Sequence, residues 1–171
     1  MAVTGEDIDG RAVYLLARFQ VDEIDLATVL GAELDLTIGG EGGQEFADVS
    51  LVAIDLLDQS WVEGDGGNGG AGPSLANPGE SSWLCSSCPL GWDGQREEFP
   101  AALGDEMGYA EEGFMVQGET FTVPLDLELI TPVDNGTYSL AVTQVDNPDQ
   151  VPLRAREGGA DAITLRVFGC K

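Results

Sequence analysis

The sequence predicts an all-β fold of the antiparallel sandwich class. Apolar residues alternate with polar ones in several separate stretches, and turn-forming residues stand between those stretches. No stretch has the length and the single apolar stripe of a core helix. Because a strand with one apolar face packs that face on a core and turns the other to water, this pattern is typical of antiparallel sheets. We therefore predict packed antiparallel sheets rather than a parallel sheet with helical crossovers.

Each predicted strand is defined by the residues of its apolar face. In chain order these faces comprise Val13, Leu15, Ala17, Phe19 and Val21; Ala32, Leu34, Leu36 and Ile38; Phe121, Val123, Leu125, Leu127 and Leu129; Tyr138, Leu140 and Val142; and Ile163, Leu165 and Val167. The run DVSLVAIDLL at 48–57 is apolar on both faces, which predicts a strand in the middle of a sheet or beneath a loop. Only 22–30 and 97–107 could carry a helical turn.

A long loop region interrupts this pattern. The 171 residues fit a single domain, and residues 58–113 form a Gly-rich and acidic insertion within it that holds all three tryptophans and two of the three cysteines. Loops of this length inside a domain are uncommon and are often functional. We expect the insertion to carry whatever specific contacts the protein makes.

Charge is the strongest feature of the composition. Asp and Glu number 31 against seven Lys and Arg, which gives a formal net charge of −24. Such a field repels nucleic acid and anionic membranes, because phosphate binding needs clustered basic residues. The acidity indicates either a solvated surface suited to high salt or seawater, or specific cation sites. No membrane-spanning apolar run is present, and MAVTGEDIDG has no apolar segment of a secretory signal.

The absence of histidine restricts the possible chemistry. A chain with no histidine cannot form Ser-His-Asp or Cys-His catalytic groups, or zinc sites that need imidazole. A carboxylate pair remains conceivable, but 31 acidic residues make some close pair inevitable, so proximity carries little information. We therefore predict that the protein is not an enzyme and needs no cofactor, with calcium binding as the alternative left open.

Cys85 and Cys88 lie in the stretch SSWLCSSCPLGWDG and have three interpretations. A redox site would place the first thiol at a helix N-terminus, yet loop residues follow here. A zinc site would need further ligands, of which Cys170 is the only thiol on offer. A disulfide fits best, either between Cys85 and Cys88 or from one of them to Cys170, with free thiols as the remaining alternative.

The same insertion offers a candidate metal site and candidate contact residues. Glu63, Asp65 and Asn68 supply oxygen ligands on a flexible backbone, as calcium prefers, although the spacing is not that of an EF-hand. Without a bound ion they form only an acidic loop. The tryptophans either present a platform on which sugar rings stack or pack beneath the loop. These are Trp61, Trp83 and Trp92.

Several segments together resemble the DNRLRE-type domains. RAVYLLARFQVD followed by GAELDLTIGG is similar to the family's opening pattern, and SWVE at 60–63 to its S-W-[ST]-E segment. Trp83 and Trp92 resemble its paired tryptophans, and NGTYSLAVTQVDN with LRAREGGADAITLRV resembles its closing pattern, with Arg156 and Glu157 on the Arg-Glu pair. The resemblance covers about 3–168. It implies a jelly-roll sandwich of the kind found in secreted, cell-surface and carbohydrate-associated proteins, and a structural ion pair between Arg156 and Glu157.

Departures from that family suggest a function. Gln20 and Ala162 replace the expected Asp and Pro, and a first strand ahead of 3–16 is missing, which would leave a sheet edge for a neighbouring subunit to cover. We therefore predict a non-catalytic subunit of a repeating extracellular assembly, either a virion shell or decoration protein or a cell-surface filament. Its partners would be copies of itself or other structural proteins. The alternative is a carbohydrate-binding module that uses the tryptophans and calcium to bind a polysaccharide.

Overall fold

A computed structural model describes residues 2–6, 12–20, 27–40, 43–56, 61–62, 78–79, 81, 87, 90, 103–130, 137–144, 151–154 and 162–169. Ten β-strands lie within these residues. No helix occurs in this described part of the chain. The strands are β1 (Ala2–Glu6), β2 (Ala12–Val13), β3 (Leu15–Gln20), β4 (Val29–Thr37), β5 (Glu45–Leu56), β6 (Leu103–Val116), β7 (Thr120–Leu125), β8 (Thr137–Gln144), β9 (Val151–Leu153) and β10 (Thr164–Gly169).

The strands assemble into antiparallel sheets, as predicted. One sheet, called here the β8 sheet, has the order β3-β8-β5-β6, and a second, the β4 sheet, has the order β10-β4-β7. A third group has the order β2-β1-β9, and the bridge between Ile38 and Leu153 joins its strand β9 to the end of β4. The all-β sandwich class is therefore confirmed, while the jelly-roll connectivity implied by the family resemblance stays a prediction.

The predicted apolar face of β4 lies in the centre of the core. Leu34, Leu36 and Ile38 are fully buried. Across the β4–β7 pair, Leu34 lies opposite Val123 and Leu36 opposite Phe121, so that apolar side chains from neighbouring strands pack on the same face. Each of these side chains contributes about 1.5–3 kcal/mol by leaving water. Period-two alternation thus correctly predicted which side of this sheet is buried.

Strands β5 and β8 are buried on both faces along part of their length, which confirms within 49–53 the prediction made for 48–57. Residues Val49 to Ala53 are all buried, as are Leu140 to Gln144. Strand β8 has a neighbour on each side, since it pairs with β3 and with β5. A central strand covered on both faces has no solvated side that would require polar residues, which explains the loss of alternation in DVSLVAIDLL.

Three details differ from the prediction. Strand β7 ends at Leu125, because Asp126 Oδ1 accepts the Glu128 N–H at 2.9 Å and begins a turn that leaves Leu127 and Leu129 half-buried. Residues 103–113, assigned to the long loop or a helical turn, are the first part of β6. Val167, predicted to be on a buried face, is 38% exposed.

The start of the chain forms a strand with two neighbours. Ala2–Glu6 form β1, which pairs with β2 on one side and with β9 on the other. Since β1 lies almost wholly within 3–16, the expected absence of a further strand ahead of this stretch stays a prediction.

Strands β9 and β10 occupy consecutive places along the same side of β4. Leu153 lies opposite Ile38, the Arg154 N–H donates to the Thr37 carbonyl at 2.9 Å, and Thr164 lies opposite Asp35. Ile163 packs against the core, as expected for the position beside Leu36. The two strands therefore keep one register on β4, although residues 154–163 separate them in sequence.

The chain divides into two compact units. The first comprises Met1–Asp55 and Asp105–Lys171 and holds the sheets described above. The second is Leu56–Gly104, which corresponds to most of the predicted insertion. In its described residues, Val62 and Ser81 exchange hydrogen bonds, and Ser87 forms an antiparallel bridge with Leu90.

Candidate functional site

Of the residues predicted to form sites, Trp61 is the one that the structure describes. Its side chain is buried, being 7% exposed. The next residue is held in place because the Val62 N–H donates to Ser81 Oγ at 2.8 Å and the Val62 carbonyl accepts the Ser81 N–H at 2.9 Å. A buried indole cannot offer its face to a sugar ring, so the packing role of Trp61 is favoured over the platform role.

The remaining predicted site residues lie outside the described part of the chain. The calcium site, the disulfide, the paired tryptophans and the Arg-Glu ion pair therefore all stay predictions. The residues concerned are Glu63, Asp65, Asn68, Cys85, Cys88, Cys170, Trp83, Trp92, Arg156 and Glu157. Within the described ranges, no group of three or more Cys, Asp or Glu side chains is arranged to hold a metal ion.

Strand β6 forms one edge of the β8 sheet and is strongly acidic. Four consecutive residues from Glu111 to Phe114 are exposed, which means that both faces of the strand meet solvent there. Tyr109 and Phe114 are 44% and 56% exposed, and the Tyr109 hydroxyl donates to Glu111 Oε2 at 3.2 Å. Charged side chains on an edge strand are a common protection against uncontrolled strand pairing. The exposed carboxylates of β6 are Asp105, Glu106, Glu111 and Glu112.

Strand β3 forms the opposite edge of the same sheet and differs from β6 in composition. Its sequence, LLARFQ, contains no carboxylate, and Arg18 and Gln20 are both exposed. Within the described residues β3 pairs with β8 and with no other strand, and β6 has only β5 as its neighbour. Of the two terminal strands of this sheet, β6 is therefore rich in carboxylates and β3 has none.

The outward face of the β4 sheet carries a hydrogen-bonded polar cluster. Arg166 Nη2 on β10 lies 2.6 Å from Asp35 Oδ1 and 3.1 Å from Glu33 Oε2, and Thr122 Oγ1 donates to the same Asp35 oxygen at 2.9 Å. The guanidinium also lies 5.8 Å from the centre of the exposed Phe168 ring, within range of a cation–π contact. This face can therefore offer hydrogen bonds beside an aromatic surface.

The hydrogen bond to Asp35 raises the pKa of the Arg166 guanidinium above its usual value, and the charges of Asp35 and Glu33 add to the effect. Arg166 is thus cationic at any accessible pH. Since all three charged groups are at least partly exposed, the cluster serves the local geometry of the face more than the stability of the fold.

Two buried polar side chains lie on the core side of β8. The Tyr138 hydroxyl donates to Met107 Sδ at 2.9 Å, and burial, with the nearby charge of Asp55, raises the pKa of Tyr138 well above its usual value. Gln144 is 7% exposed, lies opposite Leu51, and neither its Oε1 nor its Nε2 has a hydrogen-bond partner. Neither side chain was predicted as important, because a single polar residue at the end of an apolar face gives no sequence signal.

Comparison with family models and with curated proteins adds no relative. No family model matches the chain, and no curated protein matches it. The likeness to DNRLRE-type domains accordingly stays a resemblance based on the motifs given above. The described part of the chain contains no helix that is long and apolar enough to cross a membrane.

Proposed function

We propose that the protein is a non-catalytic structural subunit of a repeating extracellular assembly, either a virion shell or decoration protein or a cell-surface filament. The observation that carries this proposal is the position of four of the seven large hydrophobic residues that are exposed in the described part of the chain; the other three are Leu30, Val62 and Leu90. Tyr109 and Phe114 lie on β6, and Val167 and Phe168 lie on β10, so both sheets present apolar side chains on a terminal strand.

The exposed apolar side chains of β6 and β10 lie on terminal strands of their sheets. Scattered surface hydrophobic residues need no explanation, but groups of them on strands without a second neighbour are typical of protein contacts. The net charge of −24 opposes association of identical copies at low salt. At high salt or in seawater the screening length falls below 10 Å, and the apolar contacts then outweigh the repulsion.

Electron microscopy of the native source material tests the proposal directly. We expect regular particles or fibres that contain this chain as a repeating component. For purified protein, sedimentation velocity at about 0.1, 1 and 3 M NaCl should show large species whose fraction rises with salt. A protein that stays monomeric at every salt concentration, and that is dispersed singly in its native source, would contradict the proposal.

Carbohydrate binding is the second candidate, and the cluster on the β4 sheet favours it. The exposed Phe168 ring lies beside Arg166, and Asp35 and Thr122 supply further hydrogen-bonding groups on the same face. A binding module would remain monomeric and would change its tryptophan fluorescence with one polysaccharide. If the predicted tryptophan platform is the binding site, Trp83→Ala should abolish this change in fluorescence. If the face of the β4 sheet is the binding site, Phe168→Ala should weaken binding of the polysaccharide.

A further inference from the structure

We infer that two copies of this chain join along the open edge of β10, so that β10 of one copy pairs antiparallel with β10 of the other. This inference rests on the proposed function and names one contact between its subunits. It depends on the exposure of β10, on the width of the β4 sheet at this end, and on the absence of carboxylates from the strand.

Strand β10 is a terminal strand that is exposed on both faces. Among the described strands it pairs with β4 alone, and every residue from Arg166 to Gly169 is exposed. Val167 lies opposite the buried Ala32 and so points to the core side of the sheet, whereas Phe168 lies beside Arg166 on the outward side. An open edge with exposed apolar side chains on both faces favours the addition of a further strand.

The β4 sheet narrows to two strands at this end of β10. Strand β7 ends at Leu125 opposite Ala32, so among the described strands residues 29–31 have only β10 as a neighbour. The register shifts after Phe168, which leaves Leu30 without an opposite residue, and its side chain is 69% exposed. A two-stranded ribbon is only marginally stable in water. A second copy of β10 would widen this ribbon to four strands and would join two β4 sheets into one.

Strand β10 is also the terminal strand that an acidic second copy can approach most closely. Its sequence, TLRVFG, contains no carboxylate, and Arg166 is bound to Asp35 and Glu33 of its own chain, so this pairing does not depend on a free cation. With a net charge of −24, copies repel each other wherever exposed carboxylates meet. The contact is therefore best placed where two apolar and carboxylate-free edges face each other.

The other terminal strands are less suitable for a contact between identical copies. Strand β6 carries exposed carboxylates along its length. Strand β7 contains Pro124, which has no N–H to donate, and β6 passes closely over it at Gly108. Strand β3 has no exposed large hydrophobic side chain. These differences favour β10 as the edge that pairs with itself.

Strand geometry determines the register of this pairing. Two identical antiparallel strands are related by a twofold axis, and opposite residues point to the same face of the sheet, so one residue must lie opposite itself. Arg166 in that position would oppose two identical charged clusters, which is unfavourable. Phe168 there would pair only residues 167–169, whereas Val167 there pairs residues 165–169. With Val167 at the centre, the Phe168 ring lies opposite the aliphatic part of the second copy's Arg166.

Substitutions at Val167 test the contact, because a charge introduced there would lie opposite the same charge of the second copy. At the lowest salt concentration at which the wild type dimerises, we expect Val167→Asp and Val167→Lys each to raise the dissociation constant of the dimer by at least about tenfold in sedimentation equilibrium. Mixed in equal amounts, the two variants should form dimers with one copy of each, and these should be tighter than those of either variant alone, since opposite charges then face each other.

The matched controls are Phe114→Asp and Phe114→Lys. They introduce the same charges at another exposed hydrophobic residue, on β6 instead of β10. Both should dimerise as the wild type does, and mixing them should give no gain. Urea unfolding of all variants should give similar midpoints, which excludes misfolding as the cause of a loss. Recovery on mixing is a further safeguard, because two misfolded proteins would not restore each other.

The outcomes separate this inference from the proposed function. If the wild type forms neither dimers nor larger assemblies at any salt concentration, both are wrong. If it forms regular assemblies and the Val167 variants associate equally well, the proposed function stands and the β10 contact is wrong. The contact is also wrong if mixing the Val167 variants restores nothing, or if the Phe114 variants lose association to the same extent. If dimers form through β10 but nothing larger is found at high salt or in the native source, the contact stands and the proposed function is wrong.

Discussion

Tyr138 has a buried hydroxyl whose acceptor is a thioether, and this arrangement makes a residue-scale prediction. Tyr138→Phe removes the hydroxyl that donates to Met107 Sδ at 2.9 Å, so the free energy of unfolding should fall by about 0.5–1.5 kcal/mol. Tyr109→Phe is the matched control, because the Tyr109 hydroxyl donates to Glu111 at an exposed position. Urea unfolding should show a loss for the first variant and little change for the second; equal effects would contradict this account.

The same tyrosine should affect stability at alkaline pH. Burial and the charge of Asp55 raise the pKa of Tyr138 in the folded protein above that of an unfolded chain. The unfolded state therefore loses its proton first, and stability that is fully present below about pH 10 is lost as the pH rises above that value. We expect the unfolding midpoint of Tyr138→Phe to decline less steeply between pH 9 and 11 than that of the wild type.

The buried amide of Gln144 should lower the free energy of unfolding of the protein. An amide that is 7% exposed and has no partner for Oε1 or Nε2 incurs a desolvation cost of about 1–3 kcal/mol. Gln144→Met keeps a similar shape and removes the polar atoms, so it should raise the free energy of unfolding. Gln44→Met, at an exposed position, should have little effect. A loss of stability in Gln144→Met would show that the amide has a favourable interaction.

At the scale of elements, Gly108 allows β6 to cross closely over β7. A Cβ at this position would clash with the carbonyl oxygen of Pro124, and the adjacent Asp126 N–H donates to the Met107 carbonyl at 2.5 Å. Gly108→Ala should force these segments apart and cost about 1–3 kcal/mol. Gly113→Ala lies on the same strand with no atom within 4 Å of the added carbon, and it should be neutral or slightly stabilising. Thermal unfolding of the pair measures the difference.

Elements were predictable from sequence where a local pattern determines them. The alternation from Ala32 to Ile38 was read correctly because burial of one face depends only on spacing within the strand. Strand β6 was missed because Glu111 to Phe114 are exposed on both faces and show no alternation. The Arg166–Asp35 contact joins residues 131 positions apart, and only the register of β4 with β10 brings them together. The pattern of residues within one strand does not indicate how that strand is aligned with its neighbour, so this contact could not be predicted.

At the scale of the whole molecule, charge should make stability depend on salt. With a net charge of −24, mutual repulsion favours the expanded unfolded chain, and added salt screens this repulsion over about 10 Å at 0.1 M and 3 Å at 1 M. We expect the thermal midpoint to rise steadily between about 0.05 and 2 M NaCl. Potassium chloride should give the same rise if screening is the cause. A midpoint independent of both salts would contradict the effect.

The shared register of β9 and β10 has a consequence for how the length of this chain can vary. Arg154 and Ile163 take consecutive places along β4, so a chain in which Arg154 is bonded directly to Ile163 would present one continuous strand to β4, without residues 155–162. We expect this shortened protein to keep its β-type circular dichroism spectrum and to unfold cooperatively, since every described strand pairing of β9 and β10 is retained. The excision also removes Arg156 and Glu157. If the shortened protein fails to fold, this result would show instead that the Arg156–Glu157 pair is structural. If the shortened chain folds, residues 155–162 are a position at which evolution can lengthen or trim the protein, and at which a peptide can be displayed between two anchored ends.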